Sequence, residues 1–194
     1  MGMPATEQRR WSFEEFEAWV EQQEDRSIRY EFADGELLVT PAPSEYHQRM
    51  IRTLYDLIAP YVRDHRIGEV RLGPSRVHLA PVTHFEPDLH VAPSPSGDGR
   101  RPRADVPVTS ASLVVEVLSP GSRRHDRLTK RGCFQRAGVT EYWIVDQEAQ
   151  LVERWRPADD RPEMLDGTLT WHPAGTPEPL SIDLPVLFRS VLDD

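Results

Sequence analysis

The run SLVVEVL, Ser112–Leu118, limits the possible folds more than any other segment. It is short, apolar and rich in β-branched side chains, the composition of a central strand covered on both faces. Glu116 interrupts it. On the two-residue period of a strand, Glu116 shares a face with Val114 and Leu118, while Leu113, Val115 and Val117 take the other. If both faces are covered, the carboxylate enters a poorly hydrated place and needs a cation, a hydrogen-bond network or a proton. Two readings are open: a metal ligand, or a strand-end glutamate that reaches solvent or pairs with an arginine.

Around this strand the pattern alternates helices and strands. Ser12 with Glu15 reads as a capping box opening a helix over about 12–22. Asp34-Gly35, inside IRYEFADGELLV, predicts a hairpin. After a loop ending at Ser44, the spacing of Met50, Ile51, Leu54, Leu57, Ile58, Tyr61 and Val62 predicts a helix over about 45–65. Short strands are expected near 69–72, 76–80 and 86–91, and an exposed Pro/Gly/Ser-rich loop over 93–107. A helix fits 122–137, with Gly138 placed to end it. EYWIVD, Glu141–Asp146, reads as a strand with 150–156 as its hairpin partner, and 157–194 carries weaker strand signals and an apolar end, PVLFRSVL. No repeat is visible in the 194 residues, so one domain over 11–194 is expected after a loose tail, 1–10.

Charge and composition narrow the function classes. A net charge of −9 counts against a protein that coats nucleic acid, though not against an enzyme with a local basic face. Cys133 is the only cysteine, which excludes an intrachain disulfide and a cysteine-based zinc site. No apolar run is long enough to span a bilayer and no secretory signal is visible, so a cytoplasmic protein is expected. Of the 23 basic residues only Lys130 is a lysine. A chain that otherwise uses arginine for every positive charge keeps a lysine either by accident or where a guanidinium will not substitute.

Lys130 begins the best apolar stripe of its helix, with Cys133, Phe134 and Ala137, so it lies on or beside the inward face. It either pairs with Asp126, four residues earlier, or faces the end of the preceding strand. Arg124, Arg127 and Arg131 fall on a neighbouring face, which is either solvated or able to hold a phosphate backbone. Asp88 follows Pro87 and shares a face with His90; Pro87 cannot donate to a ladder and puts the start of that strand at an edge or bend. Glu31 lies opposite Tyr30 and Phe32 by alternation, as a ligand or as an ordinary outward glutamate. His47 and Gln48 open the second helix and read as capping or packing residues. The spacing of His78, His84 and His90 argues for no site, and there is no Gly-rich phosphate loop, G-x-S-x-G elbow or zinc-spaced histidine pair.

YEFADGEL (30–37), His47-Gln48, EPDLHVA (86–92), LVVEVLSP (113–120), the spacing of Asp126 to Lys130, and AGVTEYWIVD (137–146) occur in an order that is specific as a set. On these segments the sequence resembles the Uma-type endonucleases of the PD-(D/E)XK nuclease superfamily, over about residues 11–190. The resemblance implies an α/β (α+β) fold with a restriction-endonuclease-like core: a mixed central β-sheet flanked by helices, with additional hairpins. It implies that Asp88 is a bridging metal ligand, that Glu116 fills the second acidic position, and that Glu31 is a further acid near the metal. Leu118 stands where the simple motif has its lysine, and Lys130 matches the position to which that lysine has moved in this family. Hard carboxylate oxygens suit Mg²⁺ or Mn²⁺. The function implied is metal-dependent cleavage of nucleic-acid phosphodiester bonds, with DNA the expected partner and a homodimer compatible with it. Two other readings stay open: a catalytically silent binding or scaffold module on the same fold, and a phosphoesterase acting on RNA or a small nucleotide.

Overall fold

A computed structural model describes residues 10–25, 28–40, 43–78, 83–93 and 110–192. Residues 1–9 of the expected tail and 94–107 of the expected loop lie outside the described residues. Helix α1 (Phe13–Val20) leads into a hairpin of β1 (Arg29–Ala33) and β2 (Glu36–Thr40), then α2 (Glu45–Asp64) and β3 (Gly68–Leu72). The two-residue β4 (Thr83–His84), β5 (Leu89–Pro93) and β6 (Leu113–Val117) follow. A π-helical turn, His125–Lys130, runs into α3 (Arg131–Arg136). The chain ends with β7 (Glu141–Asp146), β8 (Leu151–Trp155), β9 (Glu163–Leu165), β10 (Thr168–Trp171), β11 (Leu180–Asp183) and α4 (Leu184–Leu192).

The main sheet has six strands in the order β3-β5-β6-β7-β8-β9. Only β6 and β7 pair in parallel, so the sheet is mixed, as expected. The apolar run at 113–117 is its central strand and is buried at every position. Alternation divides the core in two. Leu113, Val115, Val117, Trp143 and Val145 face α2, α4 and the β10–β11 hairpin. Val114, Leu118, Tyr142 and Ile144 face α3 and a smaller three-stranded sheet, β2-β1-β4. Glu116 points to this second side, between two layers of structure.

The local signals act as their chemistry requires. Ser12 Oγ accepts the Glu15 amide and the Ser12 amide donates to Glu15, closing the capping box of α1. Asp34 and Gly35 both take positive φ, 50° and 84°, as a two-residue hairpin turn demands. Ser44 caps α2, and Gly138, at φ 74°, ends the run through α3. Three expectations are corrected. The strand near 86–91 begins only at Leu89 and lies inside the sheet, so Pro87 marks a bend and not an edge. The strand expected at 76–80 is a single bridge, Val77 to Phe85, with 79–80 outside the described residues. The helix expected over 122–137 is π-helical through Lys130. Among the described residues no helix is long and apolar enough to cross a membrane.

β3 approaches β5 closely at Gly68, where an added Cβ would stand 2.0 Å from the Ala92 carbonyl oxygen. That oxygen belongs to a paired strand and cannot step aside. Gly68→Ala is expected to cost about 2 kcal/mol, read as a lower urea midpoint at unchanged slope. Gly167→Ala, with nothing within 4 Å of the added carbon, is the neutral control. Equal midpoints for the two variants would contradict the close approach.

Candidate active site

The site forms where the hairpin, the start of β5, the end of β6, the N-terminus of α2 and the π-helical turn meet. Tyr30 and Phe32 of β1 pack on α1, through Tyr30–Trp19 at 5.1 Å and Phe32–Phe16 at 5.2 Å between ring centroids. Alternation then turns Arg29 and Glu31 the other way, toward the main sheet. Glu31 is fully buried. Its Oε1 accepts the Glu86 amide at 2.8 Å, and its Oε2 lies 2.7 Å from Lys130 Nζ, an ion pair without hydrogen-bond directionality.

The single lysine of the chain is 2% exposed. Its Nζ lies 2.9 Å from Glu116 Oε1 and 3.4 Å from Asp126 Oδ1, besides its contact with Glu31. Both readings of Lys130 therefore hold: it pairs with Asp126 and it faces the end of the preceding strand. Burial alone would lower the lysine pKa, but Glu116, Glu31 and Asp126 outweigh it and hold the ammonium charged, well above its usual value. One ammonium cannot neutralise three carboxylates out of water. Burial accordingly pushes Glu116 well above the ordinary glutamate value, against Lys130 and with the help of Asp88, Asp126 and Glu31. Asp126 is raised in the same way, chiefly by burial.

Asp88 has the opposite environment. Burial would raise its pKa, but His47, Arg29 and the Val117 amide together hold it well below the usual carboxylate range. Arg29 Nη1 is 2.9 Å from Oδ1, and the Val117 amide donates to Oδ2 at 2.9 Å. His47 Nε2 lies 3.1 Å from Oδ2 and 2.9 Å from the Val117 carbonyl oxygen, so this nitrogen carries a proton. Arg29, His47, Asp88, Glu116 and Lys130 open onto one small cavity, with Thr40 and Ser119 beside them.

The four acid and lysine positions expected from the sequence thus converge, with Asp126 added. Two participants escaped the sequence reading. His47 does not cap or simply pack; its ring reaches across to Asp88 and β6. Arg29 was legible in principle, because it shares a face with Glu31 two residues on. The expected face of three arginines is split. Arg127 binds Asp146 at 3.0 Å and Glu153 at 2.6 Å, Arg131 bonds Gln135 and lies over the Trp155 ring at 4.7 Å, and Arg124 is exposed. A π-helical turn holds more residues per turn than an α-helix, so side chains aligned at α-helical spacing diverge. His78 and His84 pack against the rings of α1, and His90 is opposite Arg71 on β3.

A divalent cation fits the donor set. Four buried carboxylates, Glu31, Asp88, Glu116 and Asp126, face two cations, Arg29 and Lys130, and burial among like charges raises the pKa of Glu116 and Asp126. All are hard oxygen donors. Among the described residues no three His, Cys, Asp or Glu side chains stand close enough together to hold a metal as they are, because Arg29 and Lys130 lie among them.

The arrangement of strands and helices is shared with solved structures. The crystal structure of a protein from Anabaena variabilis, described as a putative nuclease belonging to DUF820, superposes with a TM-score of 0.70. The likeness covers 91% of this chain and 98% of that one at 19% identity, which speaks to the fold alone. A Synechocystis protein, called uncharacterized protein sll1609, is 28% identical over 150 residues, 76% of this chain and 82% of its own. Residues 13–185 match the Uma2 family, described as that of a putative restriction endonuclease, and the chain belongs to this family.

Proposed function

We propose that the chain is a metal-dependent endonuclease that hydrolyses nucleic-acid phosphodiester bonds, with DNA as its substrate. The observation that carries this reading is the burial of the only lysine between Glu31 and Glu116, beside a cavity that Asp88 shares. An ammonium so placed supports catalysis by presenting a fixed positive charge where negative charge develops on a phosphate. Asp88, Glu116 and Glu31 would hold Mg²⁺ or Mn²⁺, which when bound supplies an activated water and neutralises charge on the scissile phosphate. His47 orients Asp88 by bridging its carboxylate to the β6 backbone. Lys130 keeps Glu31 and Glu116 at a fixed separation. DNA is favoured over RNA by the family description, since restriction endonucleases cut DNA.

The direct experiment incubates the protein with supercoiled plasmid, linear duplex, single-stranded DNA and RNA, with Mn²⁺, Mg²⁺ or EDTA, beside Asp88→Asn. The expected result is cleavage of DNA that needs metal and falls by at least about a hundredfold in the variant. Equal cleavage by both proteins would sink the assignment of the site. No cleavage of any substrate would favour a silent module on this fold.

Lys130→Arg tests the lysine. A guanidinium is larger and flatter than the ammonium it replaces in a fully enclosed place, so the variant should melt at lower temperature and lose about a hundredfold in cleavage rate while remaining folded by circular dichroism. Cleavage at the wild-type rate would remove Lys130 from the chemistry.

A third expectation concerns pH. Glu116 and Asp126 have folded-state pKa values raised above 4.5 and 3.8. A raised carboxyl supports the fold below its unfolded value, and this support is lost as pH rises through the folded value. Metal-free protein should therefore lose stability above the ordinary carboxylate range. Mn²⁺ binds the ionised oxygens, so it should raise Tm more at about pH 8 than at about pH 5. Calorimetric shifts of equal size at the two pH values would contradict this.

A further inference from the structure

We infer that Arg29 is an internal cation seated where a divalent metal must bind at Asp88, so that metal binding and release of the Arg29 guanidinium are one event. The inference rests on the metal reading of the site given above. Asp88 has two oxygens with different neighbours. Oδ2 is held by the Val117 amide and His47, groups fixed in the sheet and in α2. Oδ1 is held by Arg29 Nη1 at 2.9 Å. A side chain can swing away where a backbone amide of a central strand cannot, so Oδ1 is the exchangeable oxygen.

Arg29 also differs from the other fixed cation of the cluster. Its side chain is 20% exposed, against 3% for Lys130, so only Arg29 has a path to water. Its seat is shaped for a guanidinium. Gly73 lies against it, and a Cβ added there would stand 3.3 Å from Nη2 and 3.2 Å from the Pro87 carbonyl oxygen. The acids are spread around internal cations and are not drawn to a common point. Exchanging one charge of +1 at Asp88 for one of +2 draws them together and offsets the excess of four carboxylates over two cations. The metal-free enzyme is then a self-paired state, and Arg29 sets how much metal is needed to open it.

The test titrates Mn²⁺ calorimetrically into EDTA-stripped wild type, Arg29→Gln and Arg29→Lys. Arg29→Gln should bind about tenfold tighter, because the competent state no longer competes with an internal ion pair, while Arg29→Lys should stay near wild type. Unchanged or weaker Mn²⁺ binding by Arg29→Gln, with wild type still binding, would overturn the inference and leave the metal reading intact. No Mn²⁺ binding by either protein would overturn both. A second measurement needs no charge-removing variant. The Arg29 Nε–H resonance of ¹⁵N-labelled wild type, assigned by its loss in Arg29→Lys, should move and exchange faster with water on saturation with diamagnetic Mg²⁺. A resonance that stays in place while Mg²⁺ binds would show that the guanidinium does not leave.

Discussion

An ammonium out of water between Glu31, Glu116 and Asp126 sets the terms for everything around it. Each ion alone would be costly to bury, and together they are tolerable only if the distances hold. The fold supplies that constraint from three directions. Glu116 is fixed by a central strand, Lys130 and Asp126 by a helical turn packed on that strand, and Glu31 by a hairpin turned inward through the aromatic contacts of Tyr30 and Phe32 with α1. The hairpin tip is also joined to α3 by Asp34 and Arg136 at 2.9 Å, an exposed pair that adds alignment more than stability. Removing the lysine would leave buried acids unpaired, so structure and proposed chemistry depend on the same atom.

Much of this was legible in the residues. The apolar run with one carboxylate named the central strand and its anomaly, and the capping residues Ser12 and Ser44 and the turn Asp34-Gly35 placed their elements closely. The signals that worked are local: a cap, a turn and an alternation act within a few residues. The parts that failed depend on distant partners. His47 looks like a helix-opening residue because nothing near it in sequence shows that Val117, seventy residues on, offers a carbonyl. Arg127 reads as one of three arginines on a shared face because nothing near it in sequence shows that β7 and β8 bring Asp146 and Glu153 beside it. The π-helical turn carries no pattern that distinguishes it from an α-helix, yet it decides which side chains of 124–131 point together.

The arginine-rich composition gives Lys130 a physical context. A guanidinium spreads its charge over a plane and prefers two parallel bonds to one carboxylate. Three carboxylates from three elements, all within 3.4 Å of one nitrogen, need a compact charge with donors in several directions. Only an ammonium has that shape. The two cations of the cluster are thus divided by geometry: the planar one takes Asp88, and the compact one takes the three acids around it.

The same division separates the acids. Asp88 is held ionised by an arginine, a histidine and a backbone amide, whereas burial among other carboxylates pushes Glu116 and Asp126 toward the protonated form. Environments that drive neighbouring carboxyl groups apart are how one site holds a ready anion beside a group able to give or take a proton. Here the contrast follows from position in the fold. Asp88 sits at a bend just before β5, where the Val117 amide at the end of β6 donates to its Oδ2 and Arg29 and His47 lie beside it, while Glu116 Oε1 meets the Lys130 ammonium, which it shares with Glu31 and Asp126. A carboxylate with a guanidinium, an imidazole and a backbone amide beside it stays ionised out of water; one that shares a single ammonium with two other acids needs a proton or a cation brought from outside.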